Sequence, residues 1–156
     1  MTRPSRALPG MVGVAAAALL LAGCSGDPAP AQPSPTGLVA TQCREVMAAL
    51  PEQVMGQQRT RVDGNLAVWG DPAITLRCGV DKPAGLDATS PCDELNGVGW
   101  FSEEPGTALR KAWRFTTIGR QGFVEVVVPE RYEPAGDALM DLSDAVATMP
   151  MVKPCQ

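Results

Sequence analysis

The stretch Trp113–Val128, WRFTTIGRQGFVEVVV, decides the fold. Trp113 and Phe115 alternate with Arg114 and Thr116, the two-residue period of a half-buried strand. Phe123 to Val128 is a nearly continuous apolar run, as expected for a central strand. Gly119-Arg120-Gln121-Gly122 joins the two runs as a hairpin loop.

The same period continues upstream. Ile74–Val80, ITLRCGV, alternates apolar with polar or small residues, and Val98 and Trp100 alternate with glycines. Arg61 to Trp69 carries an Asp63-Gly64 turn signal. Gly70-Asp71-Pro72 reads as a turn leading into the next strand, since Gly permits positive φ and Pro fixes its own. Helical spacing flanks these strands on both sides. After Thr41 as an N-cap, Cys43, Val46, Met47, Leu50 and Val54 recur at three- and four-residue intervals, and Pro51 ends or bends that helix. A final helix starts near Asp137, shows Leu139, Leu142, Val146 and Met149 on one side, and stops at Pro150. Helix, about five strands, helix predicts an α+β fold: an antiparallel or mixed sheet with the N- and C-terminal helices packed on it.

The N-terminus reads as an address. Arg3 and Arg6 precede an apolar run from Met11 to Ala22, shorter than the roughly 20 residues a membrane-crossing helix needs. Length and flanks fit a secretory signal peptide. Leu21-Ala22-Gly23-Cys24 has the form of a lipobox, so cleavage is expected before Cys24, with acyl chains on its thiol. Two or more such chains anchor stably to a bilayer. Ser25–Gly37, SGDPAPAQPSPTG, has four prolines and no bulky apolar residue, the composition of a semi-extended linker. The expected organisation is a signal peptide over 1–23, a lipidated Cys and linker over 24–37, and a folded domain over 38–156.

Charge and composition exclude several classes of function. Lys and Arg total 13 against 17 Asp and Glu, and loss of the leader removes two of the basic residues. No basic cluster exists, which argues against nucleic acid as a partner. Histidine is absent, and with it the commonest general base and the commonest zinc ligand. Four cysteines remain beyond Cys24: Cys43, Cys78, Cys92 and Cys155. In an exported domain they predict two disulfides, of which Cys78–Cys92 and Cys43–Cys155 are the favoured pairs. Without a CxxC pair a zinc site is disfavoured, and neither a metal nor a cofactor is expected.

Few residues point to chemistry. Glu103-Glu104 and Asp93-Glu94 are adjacent acids, and adjacent strand residues face opposite ways. No GxSxG, SxxK or phosphate-loop motif occurs. Arg77 and Arg114 fall on polar strand faces, where exposure or an ion pair is the default. Trp69 and Trp100 are candidates for a sugar-stacking platform, although core packing is the simpler role for each. Arg120, at the hairpin tip, is a candidate ligand contact.

Several blocks together resemble an actinobacterial envelope family, domain of unknown function 3515. They are CREVMAALP (43–51), WGDPAITLRCGV (69–80), CDELNGVGW (92–100), IGR (118–120), VEVVVP (124–129) and the terminal Cys155. The resemblance implies export and the four-cysteine frame, and supplies no catalytic residues. The expectation is therefore a noncatalytic lipoprotein at the outer face of the cytoplasmic membrane, binding an envelope protein or glycan. A carrier for lipids or wall precursors, with a pocket between sheet and helices, is the alternative. A carboxylate-dependent hydrolase is a third.

Overall fold

A computed structural model describes residues 30–106 and 111–155. The expected leader, Cys24 and the first residues of the linker lie outside the described residues. The elements are α1 (Gly37–Ala48), β1 (Gln53–Val54), β2 (Gln57–Asp63), β3 (Leu66–Trp69), β4 (Ile74–Val80), β5 (Asp93–Leu95), β6 (Val98–Glu103), β7 (Ala112–Ile118), β8 (Phe123–Pro129) and α2 (Gly136–Ala147). The class is α+β, and the sheet has eight antiparallel strands rather than five. The additional strands are short or polar: β1 has two residues, β5 is Asp-Glu-Leu, and β2 is almost wholly exposed. Apolar alternation does not mark such strands, because their place in the sheet comes from ladder hydrogen bonds rather than burial.

The strand order is β1-β2-β3-β4-β8-β7-β6-β5. Two four-stranded meanders thus meet at β4 and β8, and the short strands β1 and β5 form the outer edges. The 119–122 loop closes β7 onto β8, and Gly64-Asn65 closes β2 onto β3 in register Asp63↔Leu66.

Both helices lie on one face. α1 packs on β4 and α2, while α2 also reaches β1, β5, β6 and β8. The core between them is filled by Val46, Met47, Trp69, Ile74, Leu76, Val98, Val124, Val126, Val128, Leu139, Leu142 and Val146. A carrier pocket expected between sheet and helices therefore meets close-packed side chains in that layer. Helix α1 starts at Gly37, four residues before the expected cap, so Thr41 is an exposed position inside the helix. It ends at Ala48, before Pro51, and Val54 belongs to β1. Helix α2 runs as expected to within a residue at its start, and Met149 is buried just past its end.

The cysteines pair as Cys43–Cys78 and Cys92–Cys155, with Cα atoms 5.5 Å and 5.7 Å apart. This corrects the favoured pairing. Cys78 follows the inward-facing period of Ile74 and Leu76 on a central strand, which places it under α1 and against Cys43. Cys92 leads into the far edge strand β5, where the C-terminal tail returns. The tail is held to the β7–β8 loop by Val152 and Lys153, whose N–H groups donate to the Gly119 carbonyl. A side chain at Gly119, φ +71°, would collide with the Lys153 carbonyl.

Candidate functional site

The sheet face opposite the helices carries polar residues on its central strands. Arg77, Glu125 and Thr116 form one cross-strand row through β4, β8 and β7, alternating with buried Leu76, Val126 and Phe115. Arg114 and Glu103 are direct partners in a neighbouring row. Glu125 is a charged residue in a central strand and only 6% exposed, so it must be paired. Arg77 does this: Nε donates to Oε1 at 2.8 Å, and Nη2 lies 2.8 Å from the same oxygen. Arg114 Nε lies 3.4 Å from Oε2.

This face has a cover that the sequence reading placed outside the domain. Residues 31–36, expected as free linker, run along it. Arg77 Nη1 donates to the Ala31 carbonyl, Asn65 donates to that of Pro33, and the Gln32 amide donates to the Asp63 carbonyl. Pro35 sits over Gly79, whose φ of +82° marks the irregularity in the β4–β8 ladder between Cys78 and Val80. The folded unit accordingly begins at Ala31 rather than Leu38. Between this strap and the Val80–Gly85 loop lies an open groove of about 760 Å³, floored by Arg77, Glu125, Thr116 and Arg114 and lined also by Asp81 and Glu103. The Thr116 hydroxyl is buried and has no hydrogen-bond partner among the described residues. A buried hydroxyl left so costs about 1–3 kcal/mol.

The residues singled out from sequence fall elsewhere. Trp69 and Trp100 are both fully buried, so neither can offer a ring face to a sugar. Trp69 packs in the core with its indole N–H on the Pro51 carbonyl. Arg120 is a structural tie rather than a free contact. Its guanidinium donates to the carbonyls of Ala147, Met149 and Gly97 at 3.2, 2.6 and 2.8 Å, closing the C-terminal end of α2 onto the β5–β6 turn. Burial lowers its pKa from the usual arginine value.

Sequence reasoning missed Glu125, Thr116 and the groove. The signal for Glu125 was present, a lone acid inside the apolar run of β8. Its partners Arg77 and Arg114 lie on two other strands, and no spacing rule joins the three. Among the described residues no group of acids and cysteines is placed to hold a metal ion, and no helix is long and apolar enough to cross a membrane.

Comparison with known proteins adds one finding. No curated protein and no solved structure matches the chain. A family model described as protein of unknown function (DUF3515) matches residues 6–154, nearly the whole sequence, and the chain belongs to that family.

Proposed function

We propose that the protein is a lipoprotein of the cell envelope, anchored through Cys24 at the outer face of the cytoplasmic membrane, whose domain is a noncatalytic binding module for an envelope protein or glycan. The groove on the open sheet face is its binding surface. The observation that carries this reading is the groove itself, an open cleft of about 760 Å³ on whose floor Glu125 engages only one edge of the solvent-accessible Arg114 guanidinium. A concave surface on which a few charged groups converge is a natural ligand site.

Two further readings have less support. A carrier would need room between sheet and helices, and core side chains occupy that layer. A hydrolase would need a nucleophile held by a base: Glu125, the most enclosed acid of the groove, is engaged by two arginines, and among the described residues no hydroxyl is hydrogen-bonded to Glu103 or Asp81.

Photo-crosslinking in intact cells tests the binding surface, with the reactive residue at Val80 in the groove wall or at Glu45 on the exposed side of α1. An envelope component recovered from Val80 and absent from Glu45 is the expected result; equal recovery, or none from either, rejects it. The anchor is tested separately, since Cys24→Ser should release the protein from the membrane fraction into the medium.

A further inference from the structure

We propose that the groove binds a small zwitterion of the amino-acid or short-peptide class, with its carboxylate on Arg114 and its ammonium on Glu103. This rests on the groove being the binding surface, and the charges left unspent there carry it. Arg77 has each of its three nitrogens engaged, Nε and Nη2 on Glu125 and Nη1 on the Ala31 carbonyl. Glu125 gives one oxygen to Arg77 and turns the other to Arg114. What remains is the terminal nitrogens of Arg114 and the carboxylates of Glu103 and Asp81, none of which has a hydrogen-bond or ion-pair partner among the described residues.

One free cationic edge beside two free carboxylates excludes a polyanion as the favoured ligand, because the lining acids would repel it. A simple cation would leave Arg114 unanswered. A molecule with both signs satisfies each side. The spacing agrees, since Glu103 and Arg114 are directly opposed on β6 and β7. Opposed strand residues hold their Cβ atoms about 4.5–5.5 Å apart, so the two side chains leave one face side by side and a small molecule carrying both signs can address both. Arg's planar fork suits a carboxylate in particular. Thr116 lies two residues beyond Arg114, on the same face of β7, in the groove floor.

The test is an NMR titration of the isotopically labelled full chain. The probes are free L- and D-amino acids and dipeptides, each beside its N-acetylated and C-amidated form, with inorganic phosphate as a separate arm. At least one free zwitterion should shift the Arg114 and Thr116 amides saturably, and blocking either end should weaken it tenfold or more. Arg114→Gln and Glu103→Gln should each weaken it similarly, while Arg61→Gln, outside the groove, should not. The proposal fails if no free zwitterion shifts these amides, if blocking an end changes nothing, or if phosphate alone shifts them as strongly. The blocked-probe series on the natural chain decides the matter even where a variant is unstable. A cellular crosslink from Val80 without any zwitterion response would overturn this inference and leave the binding surface standing; absence of both would remove both.

Discussion

Arg120 satisfies three carbonyls at once, two of them at the open end of α2, where helix carbonyls have no intrahelical partner. A cation there also meets the favourable end of the helix dipole. Arg120→Ala should therefore cost about 2 kcal/mol in urea unfolding, the range of a charged hydrogen-bond donor lost from a partly buried site. Arg120→Lys should recover only part of this, because one ammonium cannot reproduce the planar fork. Asp87 gives a second check at the same scale. Its carboxylate accepts from the Thr89 hydroxyl and backbone N–H and from the Ser90 hydroxyl, and these bonds hold its pKa below the usual carboxylate range. A lowered pKa in the folded state means stability that is present above the unfolded value and lost as pH falls through the folded one. A carbon-detected pH titration should place the Asp87 midpoint below that of an exposed aspartate, and Thr89→Val should move it upward.

Among the elements, the β4–β8 junction joins the two meanders, and the Arg77–Glu125 pair spans it. Breaking a buried pair from one side strands a charge, so Arg77→Met should destabilise by about 2–3 kcal/mol, below the fully buried range because Arg77 keeps some solvent. Adding Glu125→Gln should recover most of that loss, as chemical denaturation of the single and double variants would show. The elements that were legible in sequence are those whose burial imposes a period. The β7–β8 hairpin, β4 and α2 announce themselves through residues such as Phe115, Leu76 and Leu142. β2 does not, since its exposed run Arg61-Val62-Asp63 has no inward face to mark. The strap gives no such signal, for a related reason. Proline and small polar residues give no burial signal, yet their carbonyls are acceptors, and Arg77 and Asn65 use them.

For the whole molecule, the disulfides show what sequence separation alone conceals. Cys78 and Cys92 are near neighbours in sequence, yet β4 and β5 lie far apart in the sheet, with three strands between. The bridges that form close intervals of 35 and 63 residues. In the chain-entropy model each contributes about 4 kcal/mol. A non-reducing peptide map should yield the Cys43–Cys78 and Cys92–Cys155 crosslinks, and replacing either pair with alanines should lower the unfolding midpoint sharply. The groove lay beyond sequence reasoning altogether, because it assembles residues from four strands and the strap around one buried acid. The sheet's margins have their own effect. β1 and β5 offer two and three residues of ladder, and beyond them the edges of β2 and β6 carry Arg61 and Glu103, while Gln32 of the strap takes the Asp63 carbonyl. Such short, charged borders are poor templates for a strand from another molecule, so this protein should resist aggregation even when many copies are crowded together.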